Sequence, residues 1–309
     1  MLYQRTLRQR VAGTGVALHS GRVVHFSISP SAAGTGIRFV RTDLSPWVEV
    51  RATADSVVET RLATTIGSSG ATVGTIEHLM AALHGLGIDN ARVELDGTEV
   101  PIFDGSAQPF VELILRNGGT VALRKPKRFL VIKRAVSVGS ADRWARLEPA
   151  KSFVLDCTID FAHPLISNQS MHFVYSDRAF LTDVARARTF GFVRDVANMR
   201  AQGLALGGSL ENAIVVDDFS IQNPEGLRWP DEFVRHKILD TIGDLALLGA
   251  PIVGRYVGMK SGHALNTELV RVLSEDPRAF EIVEFRQRRE VEVRSLELPT
   301  LGLARLAAV

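Results

Sequence analysis

The segment TIEHLMAALHGLGIDNARVEL, residues 75–95, changes its hydrophobic period part-way, and this change is the main clue to the fold. Up to Leu86 the apolar residues recur at helical spacing, and they are Ile76, Leu79, Met80, Leu83 and Leu86. Thr75 stands before them as the expected cap, and Gly85 and Gly87 mark the expected end. Ala91 to Leu95 then predicts a strand. The first half of the chain is therefore expected to contain a helix followed directly by a strand.

Strand patterns lie on both sides of this helix. Val23–Ser29 alternates apolar and polar residues, and further strands are expected at 129–136, 144–147 and 153–159. Helices are expected at 110–116, 179–188 and 233–248, irregular segments at 205–211 and 258–266, and either helix or strand at 269–274 and 279–283. Strands followed by helices, twice over and without regular βαβ alternation, predict an α+β fold rather than a doubly wound sheet.

A change of composition suggests where two domains join. Gly118 and Gly119 are followed by the charged run Arg124–Arg128, which also contains a proline. Domain boundaries usually fall in segments of this kind. We therefore predict an N-terminal domain at 1–125 and a C-terminal domain at 126–309, each a small sheet with helices on one face.

Composition excludes several classes of protein. The chain has 309 residues, 46% of them hydrophobic, and its 36 basic and 34 acidic residues give a net charge of +2. That balance argues against nucleic-acid binding, and the basic runs 124–128 and 286–289 are expected to be solvated. The single cysteine, Cys157, is expected to be a buried core thiol. Without a signal-like N-terminus or a long apolar segment, the chain is expected to be soluble and cytoplasmic.

The segment His236-Lys237-Ile238-Leu239-Asp240 is the sharpest candidate site. Residues four apart share one face of a helix, so His236 and Asp240 could bind one metal ion, with Asp244 one turn further on as a supporting residue. Taken alone, the pattern fits an exposed surface pair better. Glu77-His78 supplies a third ligand, His78, and a neighbouring carboxylate, Glu77, that could act as base on a zinc-activated water.

The other histidines and polar segments carry less information. The pattern around Glu77 is not the HExxH motif of zinc proteases, and His84 is expected to be a packing or surface histidine. His263 lies in a glycine-flanked segment and could act as a general acid, although a lone histidine there is more often simply exposed. Segment 186–192 could be a binding loop or a helix end, and 204–212 lacks any nucleotide-binding fingerprint.

Seven segments taken in order resemble the UDP-3-O-acyl-N-acetylglucosamine deacetylase family. They are VAGTGVALHSG (11–21), TIEHLMAALHGLGIDNARVEL (75–95), VPIFDGSAQPF (100–110), ARARTFGF (185–192), ALGGSLENAIVVD (205–217), DEFVRHKILDTIGDLALLG (231–249) and KSGHALN (260–266). The resemblance covers essentially the whole chain. It implies two α+β domains with the active site between them, and zinc-dependent removal of an N-acetyl group in the committed step of lipid A biosynthesis in Gram-negative bacteria.

The resemblance also implies a role for individual residues. His78, His236 and Asp240 would bind one zinc ion, Glu77 would be the general base, and His263 the acid, held by Asp244. Thr189 would help to stabilise the oxyanion. The residues that would contact substrate are Lys237, Phe190, Phe161, Asp160, Lys260, Phe192 and His19.

The family carries an insert that forms an apolar passage for the acyl chain, and 192–208 matches it. Phe192, Val193, Val196, Met199, Leu204 and Leu206 would line that passage. Three residues depart from the family pattern: Ala63, where many members have a cysteine; Ala162, in place of an acidic residue; and Arg61, in place of an apolar one. These departures bear on inhibition by excess zinc and on substrate contacts.

Two alternative functions stay open. The chain could be a zinc deacetylase for another acylated amino sugar, or a non-catalytic binder of lipid precursors. The intact set of Glu77, His78, His236, Asp240 and His263 argues against the second. A monomer is expected, and the apolar tail LARLAAV (303–309) is a candidate recognition signal for a regulatory protease.

Overall fold

The computed structural model describes residues 2–285, in which helices and several small sheets alternate irregularly along the chain. The expected α+β class is confirmed. No sheet in this range combines strands from before and after Lys127. This separation is compatible with the predicted boundary near residue 125, which stays a prediction.

The part before Lys127 contains three sheets. The main one has five strands in the order β2 (Val11–Val16), β3 (Val23–Pro30), β9 (Ala91–Leu95), β4 (Ile37–Arg41) and β5 (Val48–Arg51). Of its neighbouring strands, only β4 and β9 run parallel. The two smaller sheets are β6 (Val57–Glu59), β7 (Thr65–Ser68) and β8 (Ala71–Val73), and β1 (Tyr3–Leu7) with β10 (Thr120–Pro126).

Two helices accompany these sheets, α1 (Glu77–Gly85) and α2 (Gln108–Arg116). Helix α1 confirms the helix expected from residue 75 onwards, and it ends where the glycines indicated. The expected cap is wrong, because Ile76 precedes the helix and no side chain caps it. Thr75 instead has a φ of 55° and donates its hydroxyl to Glu99.

The part after Lys127 is built on a seven-stranded sheet. Its strands are β11 (Arg128–Ile132), β12 (Val136–Gly139), β13 (Trp144–Glu148), β14 (Phe153–Ile159), β15 (Gln169–Val174), β18 (Ile252–Met259) and β19 (Phe280–Glu284). Strand β18 is central and pairs with β11, β13 and β14. A separate parallel pair is formed by β16 (Phe190–Phe192) and β17 (Ile214–Val216).

The helices of this part are α3 (Asp177–Ala179), which continues as a π-helical turn at Phe180–Val184, α4 (Val193–Ala201), α5 (Glu232–Leu245) and α6 (His263–Glu275). Short 3-10 turns lie at Ala54–Ser56 and Ala246–Leu248. Helix α5 contacts β14 and β15, and α6 contacts β12 and β13. Helix α1 packs on α5, so these two helices meet where the two parts of the chain join.

Several expected bounds are corrected. The loop expected at 258–266 is wrong, because β18 continues to Met259 and α6 begins at His263. The strand expected at 129–136 is interrupted, since β11 ends at Ile132 and β12 begins only at Val136. The ambiguous segment 269–274 lies in helix α6, and the one at 279–283 is mostly strand, in β19. The helix expected at 179–188 ends at Val184, and the chain becomes extended towards β16.

Two further expectations concern burial. Cys157 lies in β14 with 3% of its surface exposed, which confirms the buried thiol. Between residues 2 and 285, no helix combines the length and the apolarity needed to span a bilayer. The basic run 286–289 and the tail 303–309 lie outside the described residues.

Candidate active site

The site is built where the first turn of α1 lies against the middle of α5. Gly243 permits this contact, because a Cβ atom there would stand 2.1 Å from the Glu77 carbonyl oxygen. Any larger residue would push the helices apart. The close approach places the rings of His78 and His236 with centroids 4.9 Å apart and planes at 85°.

His78, His236 and Asp240 form a buried cluster whose ligand atoms lie within 4.8 Å of one another. Asp240 Oδ1 lies 3.5 Å from His78 Nε2 and 3.3 Å from His236 Nε2. The structure therefore brings together the three residues that the sequence suggested as ligands, and the i,i+4 pair is not on the surface.

The polar atoms of this cluster fit a divalent cation. Asp240 Oδ1 is buried and has no hydrogen-bond partner among the described residues. His236 donates its Nδ1–H to the Ala187 carbonyl at 3.0 Å, which leaves Nε2 free to act as a ligand. Two imidazoles and one carboxylate form a common ligand set for a catalytic metal with an open coordination position.

The charges in the cluster also favour metal binding. Burial lowers the pKa of His236 to about 3, so its imidazole is neutral, as a ligand must be. Burial raises the pKa of Asp240, but His236 and Lys237 outweigh this and hold it well below its usual range. Lys237 donates to Asp240 Oδ2 at 2.8 Å, so the other oxygen, Oδ1, faces the histidines.

Glu77 lies beside this cluster and is almost fully buried. Its Oε2 accepts the backbone N–H of Thr64 at 3.0 Å, and its Oε1 lies 3.8 Å from His263 Nε2. Burial raises the pKa of Glu77, and the neighbouring histidines partly offset that rise. A carboxylate with a raised pKa is suited to accept a proton near neutral pH.

His263 is the first residue of α6 and is 9% exposed, so it is not the exposed loop histidine of the alternative interpretation. Its Nδ1–H donates to Asp244 Oδ2 at 2.9 Å, and its Nε2 lies 3.9 Å from Asp240 Oδ2. Burial lowers the pKa of His263, but the carboxylates of Asp244 and Glu77 outweigh it and raise the pKa to about 10. Asn266 and Thr64 also donate to Asp244, at 2.8 and 2.6 Å.

Phe190, the first residue of β16, lies beside His236, and Thr189 is the residue before it. The Thr189 N–H donates to Gly105 at 2.8 Å, and its carbonyl accepts from Ile214. The Phe190 ring lies 6.4 Å from the His236 ring, and Lys237 Nζ lies 5.5 Å from the Phe190 ring centre.

A buried ion pair fixes this segment, and sequence reasoning missed it. Arg188 and Glu232 are 3% and 0% exposed, and the guanidinium donates to both carboxylate oxygens at 2.9 and 3.1 Å. The hydrogen bond from His236 therefore ends on the carbonyl of Ala187, and the next residue, Arg188, is fixed by its ion pair with Glu232. Thr64 and Asn266 were missed as well, and no local pattern marks any of these residues because their partners are distant in sequence.

The remaining residues predicted to contact substrate make contacts mostly with one another. Phe161, Phe190 and Phe192 form one aromatic cluster with centroids 5.6–6.4 Å apart. Lys260 and Asp160 form an ion pair at 2.8 Å with each other. The backbone N–H of His19 donates to Glu99 at 2.9 Å. The ring Nε2 of His19 is buried and has no hydrogen-bond partner among the described residues.

The segment expected to form an acyl passage is largely exposed. Helix α4 has no buried residue; Val193 is 45% and Leu206 is 50% exposed. Phe192 is buried, and Val196, Met199 and Leu204 are partly buried. The segment therefore combines polar residues with apolar side chains that are exposed or partly buried, and its role stays a prediction.

The three departures have different surroundings. Ala63 is buried next to Thr64, whereas Ala162 is exposed. Arg61 donates to Gln202 at 2.9 Å, which links the N-terminal part to the end of α4. Arg61, at a position where an apolar residue was expected, therefore forms a hydrogen bond to the segment that contains α4.

Comparisons with known proteins agree with this geometry. The model of the family described as UDP-3-O-acyl N-acetylglycosamine deacetylase matches residues 4–275. A UDP-3-O-acyl-N-acetylglucosamine deacetylase of Myxococcus xanthus is 55% identical over 97% of this chain and 95% of its own length. Proteins of the same name from Anaeromyxobacter sp. (strain Fw109-5) and Shewanella sp. (strain W3-18-1) are 54% and 50% identical, over 94% and 97% of this chain and 95% and 98% of their own lengths.

Proposed function

Because this chain belongs to the UDP-3-O-acyl-N-acetylglucosamine deacetylase family, we propose that it hydrolyses the N-acetyl group of UDP-3-O-acyl-N-acetylglucosamine. The products would be acetate and UDP-3-O-acyl-glucosamine, in the committed step of lipid A biosynthesis. The observation that carries the proposal is the buried His78, His236 and Asp240 cluster with Glu77 and His263 beside it.

We assign the metal as one zinc ion held by His78, His236 and Asp240. Zinc would polarise the amide carbonyl and lower the pKa of a bound water to about 7. Two histidines and a carboxylate also suit Fe²⁺.

Glu77 is proposed as the base. Its Oε2 is engaged by the Thr64 N–H, so Oε1 is the oxygen available to take a proton from the attacking water. His263 Nε2 lies 3.8 Å from that oxygen, so the proposed base and the proposed acid lie side by side. Base and acid can therefore act on one tetrahedral carbon.

His263 is proposed as the acid. Asp244 holds its Nδ1–H, which directs Nε2 towards Glu77 and Asp240. A pKa raised to about 10 keeps the imidazole protonated at neutral pH. The amine needs a proton to leave, and His263 would donate it.

The remaining residues are assigned to the substrate. The Thr189 hydroxyl would donate to the oxyanion, and Lys237 with Phe190 would contact the sugar. Phe161, Asp160, Lys260 and His19 would contact the sugar nucleotide, and Phe192 with segment 192–208 the acyl chain. We place the two domains at 1–125 and 126–309, and the enzyme, as a monomer, in the cytoplasm; a protease acting on the tail is also proposed.

The substrate is tested by measuring acetate release from three compounds with the zinc-loaded protein. We expect efficient turnover of UDP-3-O-acyl-N-acetylglucosamine and poor turnover of UDP-N-acetylglucosamine and of an acylated N-acetylglucosamine that lacks UDP. Equal rates on the compound without UDP would indicate another acylated amino sugar. Tight binding without acetate release would indicate a non-catalytic binder.

A further inference from the structure

Thr64 is a fully buried residue whose three polar groups are all engaged at the site. Its N–H donates to Glu77 Oε2 at 3.0 Å, and its hydroxyl donates to Asp244 Oδ1 at 2.6 Å. Its carbonyl accepts the N–H of Ile76, just before α1, at 3.3 Å. One residue thus contacts the start of α1 and a carboxylate of α5.

These bonds select which oxygen atoms remain for chemistry. With Oε2 engaged, Glu77 presents Oε1 towards His263. Asp244 Oδ1 accepts a hydrogen bond from the Thr64 hydroxyl. Asp244 Oδ2 accepts hydrogen bonds from Asn266 and His263, at 2.8 and 2.9 Å. Rotation of the Asp244 carboxylate would break at least one of these bonds, so the direction of the imidazole is fixed.

We propose that Thr64 is a positioning residue that couples the proposed base to the partner of the proposed acid. It sets the separation between Glu77 and His263 across the junction of the two parts of the chain. The proposal rests on the proposed function. A hydrogen bond to a charged carboxylate is among the strong ones, and small misplacements of catalytic groups have large effects on rate.

This role predicts a specific kinetic signature. Thr64 makes no described hydrogen bond to His78, His236 or Asp240, and the substrate contacts proposed above lie on other residues. Loss of its hydroxyl should therefore lower kcat and leave both KM and the zinc Kd nearly unchanged. A residue that only fills space would instead respond to loss of its methyl group.

The test compares Thr64→Val, which removes the hydroxyl and keeps the branched shape, with Thr64→Ser, which keeps the hydroxyl and removes the methyl. We expect Thr64→Val to lower kcat on the order of 10- to 100-fold, with KM and zinc Kd changed less than about 2-fold. Thr64→Ser should retain about half of the wild-type kcat or more. Thr64→Ala repeats the hydroxyl deletion with a smaller side chain, and thermal unfolding checks that each variant is folded.

Three results would overturn the positioning role: a Thr64→Val kcat near the wild-type value, an equal loss in Thr64→Ser, or loss of zinc from Thr64→Val. If the wild-type protein released no acetate, the proposed function would fail and this role with it. If the wild-type protein were active and Thr64→Val matched it, only the positioning role would fail.

Discussion

The junction of α1 and α5 and the exposed helix α4 differ sharply in how their side chains are held. At the junction, His78, His236, Asp240, Glu77 and Asp244 are all buried, and half of their side-chain polar atoms make hydrogen bonds to other residues. Helix α4 has no buried residue, and Leu206 after it is half-exposed. The groups proposed for chemistry are preorganised by the protein, whereas those proposed for the acyl chain lack partners that a ligand would supply. Changes at the junction should therefore act on the metal or on kcat, and changes around α4 on KM.

The largest effect is expected from His236→Ala. This change removes one of three ligands, so the zinc-loaded fraction and acetate release should both fall to the level of the chelated wild-type protein. Metal analysis after gel filtration, together with activity, measures it. His84→Ala is the matched control, since His84 packs against Phe153 and Tyr175 outside the cluster. Retention of one equivalent of metal by His236→Ala would contradict the ligand assignment.

Glu77→Gln should keep the metal and lose turnover. Its amide preserves the shape and can still accept the Thr64 N–H, but it cannot take a proton from water. We expect kcat to fall about 10²- to 10⁴-fold, the usual contribution of general acid–base catalysis. Metal content and kcat are measured on the same sample. Near-normal kcat would show that another group is the base.

Asp244→Asn should change the pH dependence. Burial lowers the pKa of His263, and Asp244 is the largest influence that raises it. Without that charge the imidazole loses its proton at lower pH, so the alkaline limb of kcat/KM should move to lower pH. The acid must be protonated to act, which fixes the sign. A pH profile of kcat/KM checks this, and an unmoved alkaline limb would argue against His263 as the acid.

The smallest effect is expected from Leu206→Ser. Replacing this half-exposed side chain should raise KM for the acylated substrate roughly 3-fold, with kcat unchanged. Unfolding free energy should change by less than about 0.5 kcal/mol. Ile282→Ser, at a side chain 44% exposed on the outer strand β19, is the matched control and should leave KM unchanged. A fall in kcat for Leu206→Ser would remove the contrast between the two regions.

Sequence reasoning predicted the parts of this site that are set locally. Helical spacing placed His236 and Asp240 on one face, and the periodicity of residues 76–86 gave the helix that carries Glu77 and His78. It could not show that these helices meet, because the contact depends on Gly243 lying against Glu77. The pattern alone therefore left the surface-pair interpretation open.

The residues that support the site could not be predicted from the sequence, for the same reason. Thr64 and Asp244 are 180 positions apart, and Arg188 and Glu232 are 44 apart. Neither pair leaves a local signature, since a buried hydrogen bond constrains side chains that only the fold brings together. His263 looked like a loop residue because glycine and serine precede it, yet it begins α6 and is held by Asp244.

The most direct test of the central claim is acetate release from UDP-3-O-acyl-N-acetylglucosamine during removal and return of the metal. We predict that a chelator abolishes release and that about one equivalent of zinc restores it, because one cluster of three ligands binds one ion. Release that persists at full rate in the well-chelated protein would contradict the account. So would a folded, zinc-loaded protein that releases no acetate.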